Sequence, residues 1–320
     1  MNYKSTQGVS GFTLVELLVT MLLSIVVLAG IGLTYFSQQR SYMVQSQVVP
    51  AQQNLRAGLH MISWDARMAG FGFTSGRISF YDGSGTDFAF ALEIFNTNPD
   101  RVDIIYADAN ITTSITNPMP SSSAELNVAS TDGFGVGDLV IITDGDNASL
   151  LEITTVQDVA LKLQHNAGGT INPPGGHNIF PAPDGYNTGA KIYKIRYLSY
   201  DVDNSDPAHP EMRVDFDGPL GSQVYMPIAE NVEDLQAVYI FADGGEAATY
   251  DNADGDSTND SNDIRSIRIT VAARTDRGLP GPGSNRPAIE DHAAGGTDQY
   301  KRRMLTSLTK VRNLGLKIYG

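Results

Sequence analysis

The chain has 320 residues, room for a membrane helix plus one or two compact domains, and 41% of them are hydrophobic, enough for a core. Acidic residues number 36 and basic ones 22, and the net charge of −14 excludes the basic face that nucleic acid binding needs and adsorption to anionic lipid through the surface. No cysteine occurs, which excludes disulfides, thiol catalysis and cysteine metal sites and leaves stability to burial and hydrogen bonding.

The first element is hydrophilic, Met1 to Gly11, with Lys4 as its one charge. Then come 25 residues, Phe12 to Phe36, that are apolar or small throughout except for Glu16, and the next charge is Arg40. As a helix this run reaches roughly 37 Å, against a hydrocarbon core of about 30 Å. The pattern predicts a membrane span over 12–36. An acid inside such a span costs on the order of 2.5–3.5 kcal/mol or more, so Glu16 is a functional residue by default. A secretory signal is cut after its apolar region at small residues, and no such site follows Phe36. The only signal-like junction is Gly11/Phe12, ahead of the run. Removing residues 1–11 deletes one Lys and no acid, so the remainder would carry −15.

The helix is expected to continue over 37–70 as an amphipathic half. Leu55, Leu59, Ile62, Ala66 and Ala69 recur at helical spacing on one face, with Arg56, His60, Ser63 and Arg67 off it. Pro50 should bend it, Gly30 and Gly32 weaken its membrane half, and Gly70-Phe71-Gly72 should end it. Trp64 reads as a core anchor.

After residue 75 the period changes to short strands. Arg101–Tyr106 alternates. Leu126–Val128, Leu139–Thr143, Leu151–Val156 and Val159–Leu163 are closely spaced between Asp/Gly turns and predict a small β-barrel-like insertion over 119–190. Lys191–Tyr197, Met212–Phe216, Ala237–Phe241, Ser266–Val271 and Met304–Val311 predict one main sheet, so that 71–118 and 191–320 form the head. Asn231–Leu235 reads as a short helical turn. Gly278–Pro287 reads as a mobile loop, because proline and glycine interrupt both helix and strand. The fold class is therefore α+β: a long N-terminal helix on an antiparallel β-sheet head, with the insertion.

The chemistry is sparse. Asp251–Asp263 holds five Asp and three Asn in 13 residues. Two readings stay open for it: a solvated hairpin tip, or a calcium loop using Asp251, Asp254, Asp256 and Asp260. An EF-hand does not fit, because Ala253 and Gly255 stand at ligand positions and the bidentate Glu is missing. His60, His165, His177, His209 and His292 are scattered and read as surface or structural residues. Gly133–Asp138 precedes a strand and reads as a β-turn, not a phosphate cradle. No other cofactor is expected, and no enzymatic activity.

Gly11, Phe12 and Glu16, with Thr13-Leu14-Val15 between them, resemble the type IV prepilin signal: a glycine, a methylated aromatic, and a glutamate at the fifth mature position. Gln53–Gly58, Asp65–Phe71, Glu230–Gln236 and Lys310–Leu314 further resemble PilW-type minor pilins. The resemblance implies a structural subunit, cut after Gly11 by a prepilin peptidase and N-methylated on Phe12. It implies an inner-membrane precursor, single-pass in the lipid bilayer with a periplasmic head, that later joins the pilus or its tip. It implies as partners other minor pilins, the major pilin, the inner-membrane assembly platform and a PilY-class tip adhesin. In such pilins the matching acid meets the N-terminal amine of a neighbouring subunit, and the resemblance places a subunit that keeps it below the extreme tip. The alternatives are a type II secretion pseudopilin and a membrane-anchored periplasmic binding protein.

Overall fold

The computed structural model describes residues 11–73, 77–81, 86–120, 125–167, 171–174, 179–181, 185–216, 218, 224–251, 259–279 and 281–314. The expected leader lies outside these residues except for Gly11. The chain divides into two compact units, residues 1–49 and 50–320. The division falls at Pro50, whose missing N–H forfeits one bond of the helix α1 (Leu14–Met68).

The first unit is helical because an unbroken apolar run has no residue to stop it. Its hydroxyls bond inward: Thr20 Oγ1 donates to the Glu16 carbonyl, Ser24 Oγ to Thr20 and Thr34 Oγ1 to Gly30. These three hydroxyls are thus satisfied within their own helix, as a lipid environment demands. The apolar side chains from Leu14 to Phe36 all stand exposed. This helix is long and apolar enough to cross a membrane.

In the second unit α1 buries Ala51, Leu55, Gly58, Leu59, Ile62, Ser63, Asp65 and Ala66. That is the face the apolar spacing predicts, except that Ser63, expected off it, is buried as well. Trp64 differs from expectation: it is 50% exposed, because it points off this face. The helix stops at Met68, and Gly70 follows with φ 77, a left-handed conformation that glycine adopts without a Cβ penalty.

The head strands are β1 (Arg77–Tyr81), β2 (Thr86–Phe90), β3 (Leu92–Phe95), β4 (Arg101–Ser114), β5 (Glu125–Asn127), β6 (Leu139–Thr143), β7 (Ala148–Glu152), β8 (Thr155–Gln157), β9 (Lys162–Gln164), β10 (Lys191–Asp203), β11 (Glu211–Asp215), β12 (Tyr225–Glu230), β13 (Val232–Phe241), β14 (Glu246–Ala247), β15 (Ile264–Arg274), β16 (Ser284–Asn285), β17 (Thr297–Asp298) and β18 (Arg302–Lys310). Nine of them form one sheet, ordered β12-β11-β10-β6-β7-β1-β2, with β4 on the other side of β10 and β3 on β4. A second sheet runs β14-β13-β15-β18, and a third, small one β5-β9-β8.

The expected single main sheet is therefore two. The long strand β10 explains the larger one. Its start, Lys191–Lys194, pairs with β6, and its end, Ser199–Asp203, pairs with β11 along the same edge. Strands β6 and β7, read from sequence as part of a separate insertion, join this sheet. Their runs are buried almost without alternation, the pattern of strands covered on both faces. A second apolar core lies around Leu126, Val140, Leu151, Leu163 and Tyr186, apart from the main core under α1.

Asn231–Leu235 is no helical turn. Asn231 takes φ 60 and turns the chain into β13. The register of β13 against β15 then slips between Val232 and Asp234, leaving Glu233 as the extra residue of a bulge. Within Gly278–Pro287, read from sequence as a loop, several described residues pair. Ser284–Asn285 pairs with β17, and Leu279 N–H donates to the Gln299 carbonyl.

Candidate functional site

The residues singled out by sequence meet at the start of α1. Gly11 and Phe12 precede the helix and are exposed, Phe12 by 87%. Thr13 is the residue just before the first helical one. Its N–H and its hydroxyl both donate to Glu16 Oε2, at 2.9 and 3.0 Å, and the Glu16 N–H lies 3.3 Å from Thr13 Oγ1. This is a reciprocal cap: the side chain of each residue accepts the other's backbone N–H. Sequence reading missed it, although a Thr followed three residues later by Glu before an apolar run is its local signature. The other carboxylate oxygen, Oε1, has no partner among the described residues. Glu16 thus holds the helix start with one oxygen.

The family-like segments of the head form a set of contacts with one another. Asp65, on α1, is 5% exposed and accepts hydrogen bonds from the hydroxyls of Tyr106 on β4, at 2.7 Å, and Tyr200 on β10. Burial, and the carboxylate beside them, push both phenols well above their ordinary value. At the end of α1 the Asn313 amide donates to the Met68 and Ala69 carbonyls, at 3.3 Å each, groups that a helix leaves unpaired. Leu314 sits on Gly70, where an added Cβ would come within 2.8 Å of it. The Asp65–Phe71 and Lys310–Leu314 segments are therefore two halves of one joint.

Glu233 and Asp234 make the third. Glu233 meets Arg302 of β18 at 2.5 Å. Asp234 is fully buried between Arg286, at 2.5 Å, and His292 Nδ1, at 2.9 Å. The bulge at Glu233 is what lets two consecutive acids reach different segments, β18 and the stretch between β16 and β17. Asp100, at the turn before β4, accepts the N–H groups of Ala237 and Thr97, and burial pushes its carboxyl up to about 7.

The acidic loop is only partly in view. Asp254 and Asp256 lie outside the described residues. Asp251 and Asp260 flank the undescribed stretch, and the Asp251 N–H donates to the Asn259 carbonyl. Among the described residues no cluster of three or more His, Asp or Glu has a metal-holding arrangement. Of the histidines, His165 is buried, His292 pairs with Asp234, His209 pairs at the surface with Asp206, and His177 lies outside the described residues. In the Gly133–Asp138 turn, Asp138 accepts the Gly135 N–H and pairs with Lys194, which fits its reading as a turn.

No curated protein matches the chain. Among solved structures it is similar to the type IV-like pilin TTHA1219 from Thermus thermophilus, with 9% identity over 82% of this chain and 97% of that one and a TM-score of 0.39. Residues 199–313, which carry the Glu233–Arg302 pair, buried Asp234 and the capping Asn313, match the family model of type IV pilus-assembly protein W, PilW, and the match supports a role in type IV pilus assembly.

Proposed function

We propose that the chain is a structural minor pilin that takes part in starting or capping a type IV pilus. The observation that carries this reading is the PilW match in the head, joined to an exposed apolar helix that opens on Gly11-Phe12 and the Thr13–Glu16 cap. Before assembly the precursor sits in the inner membrane by this one helix, with its head in the periplasm. Cleavage between Gly11 and Phe12 by a prepilin peptidase frees an amine, which is then methylated. The amine of one subunit and Glu16 Oε1 of another are opposite charges in a medium of low dielectric, where each is costly alone and the pair is not. Stacking of helices brings them together. The subunit's work is assembly with other minor pilins and the major pilin on the inner-membrane platform, and display of a large tip adhesin; no catalytic step is assigned to it.

Glu16→Gln tests the reading. Glutamine still accepts the Thr13 bonds, so the cap survives and only the charge is lost. The precursor should insert and be cut, with N-terminal mass analysis finding methylated Phe12, yet the subunit should be depleted from sheared fibres and retained in membranes. Normal incorporation of the Gln variant would overturn the pairing.

A further inference from the structure

The outer edge of β18 is open. Its inner edge pairs with β15 along its whole length, Arg302 to Lys310 against Arg274 to Ser266. In an antiparallel ladder each residue turns its N–H and C=O to one side, alternating along the strand. The Val311 N–H donates to Arg265, and Lys301 exchanges bonds with Thr275, so the odd-numbered residues face β15. The backbone groups of Met304, Thr306, Leu308 and Lys310 therefore face away from it, and no strand pairs with them among the described residues. The side chains of these residues are exposed as well, Leu308 by 65%.

Native edges are usually blunted by a proline, a bulge or an inward charge. Here Met304, Thr306 and Leu308 give three successive pairing positions with none of these. The strand's own flanking side chains that are unpaired among the described residues carry charge of one sign, while Glu233 and Asp298 are taken up by Arg302 and Asp263 by Arg265. Arg303, Lys310 and Arg312 are exposed, and no acid occurs after Asp298. On a chain of net charge −14 this is a local reversal, and it selects an acidic occupant over a basic or neutral one.

We propose that the β18 edge takes an extended acidic segment of a partner protein as a further strand, paired through Met304, Thr306 and Leu308 and oriented by Arg303 and Lys310. Main-chain bonds supply the affinity of such additions, and side chains on alternate positions supply the selectivity. The inference does not depend on the pilus reading, because it rests on the edge and its charge alone.

Amide hydrogen exchange on the full chain in detergent micelles tests it. Alone, the Met304, Thr306 and Leu308 amides should exchange at least about tenfold faster than those of Leu305 and Ser307. The probe is a nine-residue peptide of alternating valine and threonine with glutamate at both ends. It should slow the exchange of these amides about tenfold, and the same peptide with lysine ends should not. Thr306→Pro removes an outward N–H while leaving the β15 ladder intact, and should abolish the protection. Charge reversal by Arg303→Glu with Lys310→Glu, both at exposed positions, should abolish it without touching the backbone. Equal protection by the lysine peptide, slow exchange of the three amides in the chain alone, or a dimer of the chain that Thr306→Pro dissolves would each overturn the proposal, the last by giving the edge to a second copy.

Discussion

Glu16 and Asp65 are carboxylates on the same helix, and they are treated in opposite ways. Glu16 stands on an exposed apolar helix and bonds only to a residue three positions away. Asp65 is buried and bonds to hydroxyls from two strands of the head. The second half of α1 is tied by its carboxylate to strands of the head, whereas the hydroxyls of the first half bond within the helix itself. The difference separates a helical half packed on the strands of the head from one whose apolar surface stands open.

Breaking the finished side should cost most. Asp65→Ala strands two buried tyrosine hydroxyls without an acceptor and removes the tie between α1, β4 and β10. The expected loss is about 3 kcal/mol, against about 1 kcal/mol for Tyr106→Phe or Tyr200→Phe alone. Urea unfolding of the full chain in detergent, followed by near-ultraviolet circular dichroism, measures it. Glu16→Gln should leave the same transition unmoved. A comparable loss at Glu16 would erase the contrast.

The contrast was only partly legible in sequence. Glu16 stood out because it is the one charge in 25 apolar residues, a local fact. The buried face of α1 was legible for the same reason: Leu55, Leu59, Ile62 and Ala66 repeat with the helix. The Thr13–Glu16 cap is equally local, a Thr three residues ahead of a Glu at the start of an apolar run. Asp65 was not legible. Its partners are 41 and 135 residues away in the chain, and nothing in Asp-Ala-Arg-Met announces two tyrosines. Asn231–Leu235 misled for a related reason. Glu-Asp-Leu has no strand period until a bulge separates the two acids, and that bulge is set by Arg302 and Arg286 on distant segments. Trp64 was assigned to the core by its size, when its helical position puts it outside.

A second buried acid sharpens the comparison through pH. Burial is the main cause that pushes Asp100 up, from an ordinary 3.8 to about 7, with Asp291 and Asp234 adding to it and the N–H groups of Ala237 and Thr97 opposing. The folded chain holds this proton more tightly than the unfolded one. The stability it contributes is therefore full below about pH 4 and lost as pH rises through 7. Asp103, pushed up to about 6 by burial, acts in the same sense, and His165, driven down to about 4 by burial, in the opposite one. Asparagine keeps an acceptor for only one of the two N–H groups, a cost that does not vary with pH, so the pH dependence of the difference between wild type and Asp100→Asn isolates the one titration. The variant should gain on wild type by on the order of 3 kcal/mol between pH 4 and 7. A difference that stays flat across that range would mean that Asp100 ionises freely in the fold.

The smallest effect tests the helix surface itself. Gly58 lies where α1 meets the head, and an added Cβ would come within 2.9 Å of Met212 Sδ and 3.3 Å of the Ala229 methyl. Gly30 and Gly32 have nothing within 4 Å of the same added atom. In a bare helix each Gly→Ala change gains about 1 kcal/mol. At Gly58 the crowding should consume that gain, because the Ala229 methyl cannot swing away as the Met212 thioether can, so Gly58→Ala should melt at or below wild type. Gly30→Ala and Gly32→Ala should leave the head transition unchanged. Their cost, if the open surface is a docking face, belongs to the fibre: closer contact with a neighbouring helix is what the missing Cβ permits, and only incorporation into sheared fibres would register its loss. Equal incorporation of both alanine variants would mean that the glycine pair serves the helix's own flexibility and not its contacts.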